Sequence, residues 1–282
     1  MVENRPWITA LAHLVLIAGV VIVAFPVYIA LVASTRGPDD FMSGIVPLIP
    51  GPHGLDNYTA MWNSGVSTSG APPLGTMMMN SLIMALSIAL GKIAISIISA
   101  YAIVYFRFPF RTLAFWTIFI TLMLPVEVRI VPTFKVVADL GMLNSHAGLS
   151  IPLIASATAT FLFRQFFLTV PDELTEAARV DGAGPIKFFL DILLPLSRTN
   201  MAALFVILFI YGWNQYLWPL MITTDPGNYT IVMGIKRMAD VADAVPQWNV
   251  VMTTVVLALL PPVFVVVVMQ RLFVKGLVET EK

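Results

Sequence analysis

The 282-residue chain contains no cysteine, which excludes a disulfide framework and any thiolate metal or redox site. Charge is scarce. Asp, Glu, Lys and Arg make up 11% of the residues, against about 25% in soluble domains. Sixteen basic and sixteen acidic side chains cancel, so there is no electrostatic footprint for nucleic acid, and no such partner is expected. The three histidines, His13, His53 and His146, stand far apart without metal-ligand spacing and read as structural. A phosphate-binding loop is missing too: Gly91-Lys92 lacks the upstream glycine and the following Ser or Thr. The chain is therefore expected to bind no nucleotide and to carry no cofactor of its own.

What remains is apolar. Hydrophobic residues make up 58% of the chain and the mean hydropathy is +0.87, beyond the roughly 45–50% apolar content of soluble domains. A chain of this composition is integral to a bilayer, with its apolar surface facing lipid. Crossing the hydrocarbon core takes about 20 apolar residues. Six stretches qualify: Trp7 to Ser34, Met77 to Phe106, Leu113 to Phe134, Leu149 to Leu168, Met201 to Thr223 and Val250 to Gln270. The first is about twice the length of a signal-peptide core and reads as an uncleaved anchor. With the N-terminus in the cytoplasm, ten Lys and Arg fall inside and five outside, with Lys92 inside a span. That bias places both termini in the cytoplasm. The spans and their loops form one all-helical membrane domain. The external stretch 35–75 is rich in Gly, Pro, Ser and Asn, with Tyr58 and Trp62 as interfacial aromatics. Pro125, Pro132, Pro219, Pro261 and Pro262 are expected to kink or break the spans that hold them.

Residues 169–199, between the fourth and fifth spans, are the most informative. Pro171 suits a first helical turn, and Asp172 and Glu173 sit where the positive end of a helix favours acids. Gly182 is placed to take the left-handed conformation that ends this helix. A second helix is expected from Pro185 to Leu194, stopped by Pro195, with Ile186, Phe189, Leu190 and Leu193 on one apolar face. Such a face needs a cover. Either the membrane surface or a partner's groove, filled in helix-in-groove fashion, would supply it.

Glu176-Ala177-Ala178, then Gly182, Ile192 and Leu194-Pro195, resemble the EAA signature of permeases in ATP-binding-cassette importers. The six spans resemble the same family, as do Trp213-Asn214-Gln215 and Gln270-Arg271 followed by Val274-Lys275-Gly276-Leu277. The likeness covers nearly the whole chain and lies with the carbohydrate-importer branch. The resemblance implies an all-α integral membrane protein with six transmembrane helices and the MetI-like type I importer fold. It implies a coupling helix that docks on an ATPase subunit, with Glu176, Ala177, Ala178, Asp181, Gly182, Ile192 and Pro195 carrying the docking geometry. It further implies a bacterial inner-membrane location and four partners: a second permease subunit, two ATP-binding-cassette ATPase subunits that bind the ATP and Mg, and a periplasmic substrate-binding protein. The stretches 1–7, 122–129 and 211–220 are similar to the glycerol-phosphate importers of that branch. They imply sn-glycerol 3-phosphate or a glycerophosphodiester as solute, with another sugar as the alternative.

Polar residues inside the spans are candidates for a solute path, because an unpaired ionisable group in lipid costs several kcal/mol. Lys92 lies well inside the second span, and Glu127 and Arg129 lie in the third. They line a path for an anion, or else form inter-helix ion pairs or snorkel to a helix end. Trp213, Asn214 and Gln215 in the fifth span offer hydrogen bonds and an aromatic face, or else pack between helices. An ion-gradient-driven secondary transporter would be expected to show an internal repeat. None is visible between residues 1–140 and 141–282, and that reading gives the EAA loop no role. An intramembrane enzyme would need a tighter cluster of titratable groups.

Overall fold

The computed structural model describes residues 6–42, 44, 46–66, 69–121, 126–241 and 245–279, without the side chains of Pro6, Val126, Glu127 and 271–279. Among these residues the regular structure is helical apart from a single antiparallel bridge between Val66 and Ala71. The helices are α1 (Pro6–Ser34), α2 (Gly54–Asn63), α3 (Leu74–Tyr105), α4 (Arg111–Ile120), α5 (Val126–Asp139), α6 (His146–Ser150), α7 (Ala157–Phe167), α8 (Asp172–Val180), α9 (Pro185–Phe188), α10 (Leu194–Leu196), α11 (Arg198–Trp213), α12 (Leu217–Ile222), α13 (Ile231–Ala239) and α14 (Trp248–Glu279).

Three segments are long and apolar enough to cross a membrane as continuous helices: Trp7–Ser34, Leu74–Tyr105 and Trp248–Gln270. Two bent pairs bring the number to five when each pair is counted as one broken span. His146–Leu153 meets Ala157–Phe167 at 47°, and Pro185–Leu196 meets Arg198–Trp213 at 69°. Of the expected third span, the described residues form α4 and α5, and residues 122–125 lie outside the described set. The expected fifth span is divided. Helix α11 stops at Trp213, capped by Asn214, and α12 begins at Leu217. Breaks inside a bilayer need substitutes for the lost helical hydrogen bonds. At the break before α7, Ser156 Oγ accepts from Ala159 N at 3.2 Å.

Three of the prolines leave their helices unbroken. Helix α5 runs on through Pro132, and α14 through Pro261 and Pro262. Pro219 falls in the first turn of α12, where a missing N–H costs little. Pro125 lies outside the described residues.

The chain divides into two compact units, Met1–Gly75 with Gly234–Leu260, and Thr76–Met233 with Pro261–Lys282. In the first, most of α1 is exposed, as a lipid-facing helix would be, while Val32, Ala33 and Ser34 at its end are buried. A helix C-terminus leaves orphan carbonyls, and this one is served by side chains. Asn57 Nδ2 donates to the carbonyls of Ser34 (2.9 Å) and Arg36 (2.8 Å). Thr253 Oγ1 also donates to Ser34 O at 3.3 Å. Asn249 Nδ2 donates to Asn57 Oδ1 at 2.9 Å, extending the buried network.

In the second unit, Met84 and Ile88 of α3 pack with Ile130 and Val137 of α5, Leu149 of α6, and Trp218 and Ile222 of α12. Trp218 Nε1 donates to Gly148 O at 3.0 Å. Asn80 Nδ2 binds the carbonyls of Gly227 and Tyr229, and its Oδ1 meets His146 Nε2 at 2.9 Å. His146 is thus a structural link between α3 and α6. At Gly212 of α11 an added Cβ would lie 2.8 Å from Ala85 Cα. Two apolar helices reach such a distance through small residues on both faces.

Candidate functional site

The loop after α7 forms a helix, a turn and a second helical stretch. Helix α8 starts after Pro171, with Asp172 and Glu173 in its first turn and Arg179 in its last, which complements the helix dipole at both ends. It closes in a Schellman motif. Gly182 N donates to Arg179 O (3.0 Å), and Ala183 N donates to Ala178 O (2.8 Å). Gly182 takes φ = +73°, as expected. A Cβ there would meet nothing within 4 Å, so within this chain the requirement for glycine is one of backbone conformation.

The second stretch departs from expectation in two ways. Pro195 does not stop it. The chain passes from α9 through a π-helical turn, Phe189–Leu193, into α10, and ends at Ser197. The wider π turn shifts the hydrogen-bond ladder by one residue just ahead of the proline, which relieves the clash that a proline ring causes in an α-helix. The same turn splits the expected apolar face. Leu193 is fully buried and Phe188 nearly so, whereas Ile186 is 76% exposed and Leu190 51% exposed.

The inward side chains dock on the C-terminal end of α3. Tyr105 meets Phe188 edge-on at 5.3 Å between ring centres, and Tyr101 lies 4.9 Å from Phe189. Tyr101 Oη donates to Pro185 O at 2.8 Å. Sequence reasoning missed both tyrosines and Phe188, whose roles depend on tertiary contact. Of the signature residues, Ala178 is buried beneath the turn, while Glu176, Ala177, Asp181 and Gly182 are exposed. Ile192 and Pro195 are half-buried. The exposed surface of α8 and α9 therefore carries Glu176, Ala177, Val180 and Ile186 outward, a mixed acidic and aliphatic face whose α9 part is braced from behind by α3.

The candidate path residues divide. Lys92 is 7% exposed and its ammonium sits 3.9 Å from the centre of the Tyr211 ring. Lys92, Arg129 and Tyr211 line one cavity of roughly 430 Å³, together with hydroxyl residues of α3, α4 and α7 and the first turn of α7. Neither Lys92 nor Arg129 has a carboxylate partner among the described residues. The side chain of Glu127 lies outside the described set. Trp213 does not join the cavity: it is buried and stacks on Phe209 at 5.9 Å. Asn214 caps α11, and Gln215 Nε2 donates to Tyr211 O at 3.1 Å. The structure thus brings together Lys92 and Arg129 and leaves Trp213, Asn214 and Gln215 in supporting positions. Tyr211, four residues before Gln215, is the lining residue that the sequence reading passed over.

Broken spans around a polar cavity, with a capped loop braced against a long helix, define a transport component of a membrane. The profile of the binding-protein-dependent transport system inner membrane component matches residues 92–279, and the chain belongs to that family. Among curated proteins, it is 60% identical over 282 residues, all of both chains, to the sn-glycerol-3-phosphate transport system permease protein UgpE of Agrobacterium fabrum (strain C58). It is 58% identical, again over both full lengths, to the proteins of that name from Escherichia coli (strain K12) and Brucella melitensis biotype 1. The fold superposes on a chain of a bacterial ABC transporter involved in the import of the acidic polysaccharide alginate. That match has a TM-score of 0.80 at 19% identity and covers 96% of this chain and 98% of the other.

Proposed function

We propose that this chain is a permease subunit of an ATP-driven importer for sn-glycerol 3-phosphate or glycerophosphodiesters. It works with a second permease, two ATPase subunits and a solute-delivering binding protein outside the membrane, with both of its own termini in the cytoplasm. The observation that carries this reading is the full-length identity of 58–60% to permeases named for that solute. It is joined to a loop whose exposed face is built to be covered. ATP is bound and hydrolysed on the partner subunits. Their closure is transmitted through residues 171–195 to the end of α3, and the pathway alternates between inward and outward access.

The test is reconstitution of both permeases and the ATPase subunits in liposomes with the binding protein. Hydrolysis and uptake are followed with sn-glycerol 3-phosphate or with maltose. Stimulation by the phosphate ester and not by maltose is the expected result. Stimulation by maltose alone would overturn the solute assignment.

A further inference from the structure

The cavity beside Lys92 holds more positive charge than anything described around it neutralises. Lys92 is buried, and none of its three N–H donors has an acceptor among the described residues; its one close contact is the face of Tyr211 at 3.9 Å. A cation over an aromatic face is held in position, yet its charge is not cancelled. Arg129 opens onto the same space and makes no ion pair among the described residues. The first turn of α7, from the Ser156 cap through Thr158, also borders the cavity. Helix N-terminal N–H groups lack intrahelical acceptors and favour anions. Three positive elements thus converge on a volume within the ~300–1,000 Å³ span of small-molecule sites.

The hydroxyl groups supply the complement. Ser99, Thr117 and Thr121 already donate to the carbonyls of Ile95 (2.7 Å), Leu113 (2.9 Å) and Ile118 (2.6 Å). Their oxygens are left to accept, which suits the hydroxyls of a polyol. A carboxylate from a neighbouring subunit would neutralise Lys92 and Arg129 without needing such a cavity or its hydroxyl lining.

We propose that this cavity is a binding site for the phosphate group of the transported solute. Lys92, Arg129 and the N-terminus of α7 hold the phosphate, and the hydroxyls of α3 and α4 face the glycerol end. This deepens the importer reading and rests on it for the identity of the solute.

The experiment uses the complete complex with its partner subunits, in nanodiscs of phosphatidylcholine without binding protein. Binding of radiolabelled sn-glycerol 3-phosphate and of inorganic phosphate is measured for wild type, Lys92→Gln, Arg129→Gln and Lys92→Arg. Losing one charge-assisted contact is expected to weaken binding of both probes by about tenfold or more, with substantial recovery in Lys92→Arg. Complexes are first compared for assembly and yield. Assembly lost in both Gln variants but kept in Lys92→Arg would mean that a partner's acid neutralises these cations, and overturns the proposal. So does unchanged binding in both Gln variants. A second set of nanodiscs contains phosphatidic acid, and loss of probe binding there would assign the site to a lipid headgroup instead of a solute. If inorganic phosphate binds through Lys92 while liposomes import no sn-glycerol 3-phosphate, the solute assignment fails and the anion site stands.

Discussion

Replacing Gly182 separates backbone conformation from packing, because nothing lies within 4 Å of where a Cβ would stand. At φ = +73° an L-residue suffers a left-handed penalty of about 1–2 kcal/mol. Gly182→Ala recovers about 0.4–1 kcal/mol of that by restricting the unfolded chain. Asn tolerates the left-handed region best among non-glycine residues, and β-branched Val worst. The expected order of cost is therefore Asn, then Ala, then Val, with Gly182→Val reaching about 2 kcal/mol or more. A penalty of one to two kcal/mol raises the open population of the turn roughly 5–30-fold. The loss falls first on the two bonds that close the motif, Gly182 N to Arg179 O and Ala183 N to Ala178 O. Amide hydrogen exchange over residues 176–188 in the assembled complex reads it directly, and solute-stimulated ATP hydrolysis reads its consequence. Exchange in Gly182→Val that matches wild type would refute the argument. So would Asn proving as costly as Val, which would point to a steric cause.

Tyr101→Phe removes only the 2.8 Å bond to Pro185 O and should cost about 0.5–1.5 kcal/mol, visible as faster exchange at the start of α9 with little change in thermal stability. Gly212→Val forces a side chain against Ala85 Cα and should destabilise the purified complex by about 1–3 kcal/mol through overpacking; an unchanged melting temperature would disprove the close approach of α3 and α11. Asn57→Leu strips the Arg36 carbonyl of its donor, takes the acceptor from Asn249 Nδ2 and leaves Ser34 O with only the 3.3 Å bond from Thr253. At about 1–3 kcal/mol for each group left unsatisfied, it should be among the most damaging substitutions in its unit, and Asn249→Leu should be milder.

The first half of the loop at residues 171–195 was legible because its rules are local. An acidic first turn and a glycine after the last turn specify a capped helix whatever surrounds it. The second half was not. Assigning Ile186, Phe189, Leu190 and Leu193 to one face assumes an unbroken α period, and the π turn at Phe189–Leu193 breaks it. Phe188 and Leu193, five residues apart, are buried together, while Leu190, which the α period would place beside Leu193, is exposed. Lys92 stood out as a buried charge, but its cavity is assembled from α3, α4, α7 and α11 with Arg129 of α5, and no spacing along the chain predicts that convergence.

Helix α3 is where these features meet. Its last turns carry Tyr101 and Tyr105 against the loop, its middle carries Gly91 and Lys92, and its first turns carry Asn80 and Ser81, bonded to residues 227–231. At 1.5 Å per residue, Tyr101 lies only about 14 Å along the axis from Lys92. A shift of the loop reaches the cavity through one continuous element, whereas α7 and α11, which border the same cavity, are each bent away from the helix before them by 47° and 69°. Packed helices do not deform smoothly. A displacement of α3 must then be taken up where small residues let it slide, at Gly212 against Ala85 and at Gly91 against Ile154. Bulk added at those contacts should therefore impair transport more than equal bulk on the lipid face of α3, at Leu90 or Ile98, both more than half exposed.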